Sequence, residues 1–184
     1  MSVLTDFTGI EREVFIETGT NVGDTLWNAK DHFKLCFSME VDGETALKAR
    51  RRFENIPNVL ILGGNSQFWL PFLLRDAPTT FWLDAHYFYG LGDASEPQCP
   101  LLAELKAITN FQWTVPPIIL IDDAHMFDDS ISIPSYGPFW KTDHPQTQGW
   151  RKQDWPRIET VDQLLPGFTR TLCPGPYFKY ESLQ

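Results

Sequence analysis

Val14-Phe15-Ile16-Glu17-Thr18-Gly19-Thr20-Asn21-Val22-Gly23-Asp24-Thr25 is the stretch whose reading decides the fold. An apolar run, Val14 to Ile16, ends on an acid and then on two glycines, and a helix-like pattern follows with Leu26, Ala29 and Phe33 on one face. The reading is strand, tight turn, helix. Glycine lets the backbone pass close under a ligand, and the helix that follows offers unpaired N–H groups and the positive end of a dipole. Such a turn can hold the polar part of a nucleotide-like molecule.

Working outward, four more apolar runs alternate with helical patterns. Leu35 to Asp42 is a second strand ending on acids, and Gly43 to Asn55 reads as a helix with Ala46, Ala49 and Phe53 on one face. Val59 to Leu62 is a third strand, ending at Gly63-Gly64-Asn65-Ser66, and a short helix around Phe68 to Leu74 follows. Thr79 to Ala85 is a fourth strand. A helix spans Leu101 to Ile108 behind Pro100, and Ile118 to Asp123 is a fifth strand behind Pro116 and Pro117. Short strands that are apolar along nearly their whole length need cover on both faces, so the expected class is α/β: a Rossmann-like open, mostly parallel sheet with helices on both faces. A helix around Glu159 to Leu165 precedes two runs, Phe168 to Leu172 and Tyr177 to Tyr180. These flank Cys173-Pro174-Gly175-Pro176 and read as a C-terminal antiparallel hairpin that closes the sheet. Residues 126–156 lack periodicity but carry Phe139, Trp140, Trp150 and Trp155, which suggests a lid or insert within one domain over 1–184.

Composition narrows the partners. With 184 residues, 42% hydrophobic, one core of ordinary size is expected. A formal charge of -9 disfavours a field that attracts phosphate backbones, so nucleic acid is not the expected partner. No run has the length of a membrane span, and Met1 to Glu13 shows no signal pattern, so a cytoplasmic protein is expected. Three cysteines without CxxC spacing suggest neither a disulfide framework nor a zinc knuckle, and Cys36 reads as a core residue.

Polar residues stand at the end of every expected strand: Glu17 and Thr18, Glu40 and Asp42, Asn65 and Ser66, Asp84 and His86, then Asp122, Asp123 and His125. In open parallel sheets ligands bind outside these carboxyl ends. A carboxylate after strand two can accept hydrogen bonds from both hydroxyls of a ribose, with Glu40 the first choice and Asp42 the second. Glu17 would repel a diphosphate and attract an ammonium or sulfonium, which favours S-adenosylmethionine over a nicotinamide dinucleotide.

Glu17 to Gly23, the acid Glu40, Gly64-Asn65-Ser66 with Leu70-Pro71, and Ile121-Asp122-Asp123 resemble the successive motifs of class I S-adenosylmethionine-dependent methyltransferases. The pair Leu83-Asp84-Ala85-His86 and Leu120 to His125, with Cys99 to Leu105 between them, is similar to the metal-dependent macrolide-sugar O-methyltransferase type. The turn here is Gly-x-x-x-Gly, without the middle glycine of the commoner form, and His86 stands where the sugar enzymes tend to have an acid. The resemblance implies S-adenosylmethionine held by Glu17, Thr18, Gly19, Thr20, Asn21, Gly23, Thr25, Glu40, Asn65, Ser66 and Asp84. It also implies Mg²⁺ or another divalent metal held by Asp84, Asp122 and Asp123.

Three such carboxylates suit a hard cation, which would bind adjacent hydroxyls of an acceptor and lower the pKa of one. Their alternative role is to cap turns and accept backbone hydrogen bonds. His86 and His125 are both candidates for general base, with Asp84 beside them; as ligands they would favour a transition metal. Trp140, Trp150 and Trp155 could stack on a flat acceptor or anchor a long loop. The expected activity is O-methylation of a small, sugar-like hydroxylated acceptor. The alternatives are a non-catalytic module that keeps the nucleotide pocket, and a nicotinamide oxidoreductase, which would need a Gly-x-Gly-x-x-Gly turn that the chain lacks.

Overall fold

β-Branched and aromatic residues dominate the apolar runs, and in the computed structural model each run pairs with its neighbours as a strand. The structure describes residues 7–86, 97–131, 152–175 and 177–183. Among these, β1 (Val14–Thr18), β2 (Leu35–Glu40), β3 (Val59–Gly63), β4 (Thr79–Leu83) and β5 (Ile118–Ile121) are parallel. The hairpin of β6 (Phe168–Cys173) and β7 (Tyr177–Ser182) adds to them through an antiparallel β5–β7 pairing, in the order β3-β2-β1-β4-β5-β7-β6.

Alternation along β1 divides the interior. Phe15 packs with Leu26, Ala29, Ala49, Phe53 and Trp82 on one face of the sheet, under α1 (Asp24–Ala29) and α2 (Gly43–Arg52). Val14 and Ile16 pack on the other with Leu70, Leu105, Ile108 and Val161, under α3 (Ser66–Leu73), α4 (Leu101–Asn110) and α5 (Ile158–Leu164). Cys36 belongs to the first of these clusters. No described helix is long and apolar enough to cross a membrane.

Several boundaries differ from the periodicity for local reasons. The first helix stops at Ala29, short of Phe33, because the Asn58 amide donates to the carbonyls of Lys30 and Phe33 and turns the chain; Phe33 still reaches the core, edge-on to Phe7. α3 starts two residues early, at Ser66, where the Asn65 side chain accepts the Gln67 N–H at 2.8 Å as a cap. β5 stops before its two acids because Asp123 takes a left-handed conformation, φ 49°, one that Asp and Asn adopt more readily than other side chains, and a short 3₁₀ turn, Ala124–Met126, follows. Phe139, Trp140, His144 and Trp150 of the expected lid lie outside the described residues.

Chain order places the functional edge. After β1 the chain builds β2 and β3 on one side, then crosses to lay β4 on the other, so strand order reverses between β1 and β4. Register keeps the ends level: Thr18 pairs with both Met39 and Leu83, and Leu83 with Ile121. Gly19, at φ 84°, passes so close to the end of β4 that an added Cβ would sit 2.4 Å from the Asp84 carbonyl oxygen. Gly19→Ala is therefore expected to destabilise the fold by about 2 kcal/mol or more, the left-handed penalty alone being roughly 1–2 kcal/mol. Gly167→Ala, where an added methyl meets nothing within 4 Å, is the control and should stay within about 0.5 kcal/mol of the parent. Urea unfolding measures both; equal stability of the two variants would mean the turn relaxes at no cost.

Candidate active site at the carboxyl edge of the sheet

The first turn is held from beneath by acids. Glu40, at the end of β2, accepts the Asn21 N–H at 2.8 Å through one carboxylate oxygen and the Asp42 N–H at 2.9 Å through the other. Each oxygen keeps a lone pair, so two further hydroxyl donors can be accommodated. Asp42 is the cap of α2 and accepts from Thr45 N, which holds its carboxyl below the usual range. Thr20 and Ser38 join their hydroxyls, and Ser38 donates to Glu17. Burial pushes the Glu17 carboxyl well above its ordinary pKa, opposed by the Ser38 hydrogen bond. Gly23, left-handed at φ 81°, starts α1, with Thr25 half-buried in its first turn.

Asp84, His86 and Asp123 meet at the ends of β4 and β5. His86 Nε2 lies 3.0 Å from Asp123 Oδ2 and 3.2 Å from Asp84 Oδ1. One donor atom from each of the three falls within 4.8 Å of the others. Asp122 has a different place: its Oδ1 accepts the Asp123 N–H at 2.8 Å. His125 is buried in the 3₁₀ turn, its Nδ1 3.9 Å from Asp123 Oδ1. Trp155 covers the cluster, its ring centroid 4.9 Å from that of His86 and 5.6 Å from that of Phe127.

Electrostatics separates the two histidines. Burial lowers the pKa of His86, but Asp123 and Asp84 outweigh it and hold the imidazole well above 6.5, as a cation at neutral pH. Burial lowers His125 and the His86 charge adds to it, with Asp123 opposing, so His125 is neutral at pH 7 and able to accept a proton. Asp123 is held low against burial chiefly by its bond to His86. Burial raises Asp84 and, together with the charges of Asp84 and Asp123, raises Asp122 well above its ordinary value.

The donor set fits a divalent ion. Two carboxylates and one imidazole, close enough to share one centre, are a mixed oxygen and nitrogen set of the kind that suits Mn²⁺, Fe²⁺ or Zn²⁺ better than Mg²⁺. Neither Ser38 nor Glu104 is among the residues singled out by sequence. Glu104 accepts the Ser66 hydroxyl at 2.5 Å, and burial raises its carboxyl to about 7 against the Ser66 and Thr18 hydrogen bonds. Its signal was present, since Leu101, Leu105 and Ile108 put position 104 on the apolar face of α4.

Glu17 makes stability depend on pH with a definite sign. Its folded pKa lies above the unfolded value, so the native state holds the proton more tightly, and stability falls as pH rises from the unfolded pKa towards the folded one. Glu17→Gln removes that loss. The unfolding free energy of Glu17→Gln minus that of the parent should grow steadily from pH 4 to pH 8 in urea titrations; a constant difference would mean that Glu17 titrates normally.

No family model matches the sequence, and no curated protein matches it. Solved structures do match the fold. An S-adenosylhomocysteine-bound methyltransferase from Podospora anserina superimposes with a TM-score of 0.69 at 15% identity, covering 97% of this chain and 76% of its own. An O-methyltransferase from Bacillus cereus in complex with S-adenosylhomocysteine gives 0.55 at 15% identity, over 93% and 74%. An rRNA methylase from Streptococcus thermophilus gives 0.53 at 15% identity, over 95% and 89%. The chain has the Rossmann-like fold of the class I S-adenosylmethionine-dependent methyltransferases.

Proposed function

We propose that the chain is a cytoplasmic S-adenosylmethionine-dependent O-methyltransferase acting on a small hydroxylated, sugar-like acceptor with a divalent metal. The observation that carries this reading is the convergence of a cradle of buried acids and an Asp84, His86 and Asp123 donor set at the β1/β4 switch point. The cradle suits a ligand bearing an ammonium and a sulfonium, and Glu40 has lone pairs free for a ribose diol. The formal charge of -9 opposes a nucleic-acid acceptor, although the fold itself also serves an rRNA methylase.

In this mechanism the turn after β1 and Glu40 would hold S-adenosylmethionine, which supplies an electrophilic methyl group when bound. Asp84, His86 and Asp123 would hold the metal, which supplies Lewis acidity to acceptor hydroxyls when bound. His125, neutral at pH 7, takes the hydroxyl proton as the oxygen attacks the methyl carbon. The carbon–sulfur bond breaks, its electron pair stays on sulfur, and S-adenosylhomocysteine leaves. Trp155 excludes water from this side of the site.

Calorimetry with S-adenosylhomocysteine tests the cofactor. The parent protein should bind, and Glu40→Ala should weaken binding by about 1.5–3 kcal/mol, a loss of roughly one to two decades. No heat at millimolar ligand would sink the proposal. For the metal, Mn²⁺ titration of chelator-treated protein should show one site that Asp84→Asn and Asp123→Asn each abolish or weaken severely. Asp122→Asn, whose oxygen can still accept the Asp123 N–H, should weaken it less, and S-adenosylhomocysteine binding should stay within a few fold in all three. Equal losses in the three variants would instead make Asp122 a ligand.

A further inference from the structure

α4 turns Leu101, Glu104, Leu105 and Ile108 inward, and Glu104 is as deeply buried as the leucines beside it, at 1% exposure. A leucine would fill that place without taking a carboxyl out of water, so packing gives no reason for the acid. Its partners do. Ser66 Oγ donates to Oε1 at 2.5 Å, and the Thr18 hydroxyl is the second partner. Ser66 opens α3 directly after the β3 turn, and Thr18 ends β1 directly before Gly19. Thr18 Oγ1 also accepts the Asp84 N–H at 3.3 Å. One carboxyl on α4 thus ties together the ends of β1, β3 and β4 across the switch point.

We propose that Glu104 is a positioning residue of the cofactor site that makes it prefer a positively charged ligand, the sulfonium of S-adenosylmethionine, over the neutral thioether left after methyl transfer. This rests on the methyltransferase reading above. Ionised Glu104 accepts from both hydroxyls, which turns their oxygen lone pairs outward and adds a negative charge behind the turn. Protonated Glu104 donates to one of them, so that hydroxyl points its proton outward and the added charge is gone. Burial places this exchange near pH 7, within the range where a cell and an assay both operate.

Among the described residues, the charged groups around Glu104 are few. Asp84 opposes its ionisation and His86 favours it, both from the end of β4. α3 has no charged side chain, and Glu17 projects to the opposite face, bonded to Ser38. On α4 itself Lys106 is exposed, and just before it stands the Cys99 thiol, pushed up chiefly by burial and further by the Glu104 charge. Of the acids of α5, Glu159 is exposed and Asp162 accepts the Tyr180 hydroxyl.

The test is calorimetry on the full chain at pH 6 and pH 8 with S-adenosylhomocysteine and with sinefungin, a stable analogue that carries an ammonium in place of the sulfonium. The ratio of sinefungin to S-adenosylhomocysteine affinity should climb about three- to tenfold between the two pH values, the size expected for one charge acting through a partly polar interior. In Glu104→Gln the ratio should stay at its pH 6 value, with S-adenosylhomocysteine binding within a few fold and melting intact. An equal climb in Glu104→Gln overturns the proposal, because the charge would then come from another group. Should that variant not fold, Ser66→Ala replaces it: losing a donor raises the acid's pKa, so the midpoint of the climb must move to higher pH, and an unmoved midpoint overturns the proposal. A parent protein that binds neither ligand overturns the methyltransferase reading as well, whereas one that binds both with a flat ratio overturns only the role of Glu104.

Discussion

Everything at the functional edge depends on the approach of Gly19 to the backbone of Asp84. β1 and β4 diverge there, because the chain leaves β1 to build one half of the sheet and returns to build the other. Divergence opens a crevice; the glycine sets how narrow it is. With no side chain and a left-handed φ, Gly19 lets the β1 turn fold over the β4 end, and its own N–H bonds to the Met39 carbonyl of β2. Three strand ends are thereby fixed relative to one another before any side chain is considered. Glu40 and Glu104 then brace the same junction from β2 and α4.

The bracing groups are mostly acids, and the site has to keep them from repelling one another. It does so in two ways. Near the turn after β1, Glu17 and Glu104 have hydroxyl partners and burial raises both, so protons are retained more readily when no cation is near. Near the ends of β4 and β5, His86 sits between Asp84 and Asp123 as an internal cation. Both arrangements offset the buried negative charge of the free site, as the proposed sulfonium and metal ligands would require. A metal entering the second would displace the His86 proton, since an imidazole ligates only when neutral.

The strands and their polar ends were legible in the sequence because each apolar run gives way to polar residues at its carboxyl end or just beyond it. The hairpin was legible from Pro174-Gly175-Pro176, whose prolines have no N–H to continue a ladder. What stayed hidden depends on contacts between distant parts of the chain. His86 and Asp123 are 37 positions apart, and nothing local says that the imidazole will face two carboxylates. Asp122 and Asp123 look equivalent as letters; only the left-handed turn at Asp123 sends one carboxylate to the cluster and keeps the other on the backbone. Glu104 was hidden differently: an acid in a helix reads as surface until its register against Leu101, Leu105 and Ile108 is counted.

The fold does not choose the acceptor, since it serves both O-methyltransferases and an rRNA methylase. The choice rests with what lines the far side of the crevice. There the ring of Trp155 packs against His86 and Phe127, and Asp122 and Asp123 lie at the end of β5. A polyanion approaching this edge meets a chain of net charge -9, and among the described residues the strand ends carry acids and histidines rather than lysines or arginines. An uncharged acceptor meets no such barrier, and its hydroxyls can bond to carboxylates while its apolar face lies on an aromatic wall. Charge and an indole surface are thus the two features of this edge on which the proposal of a small hydroxylated acceptor rests.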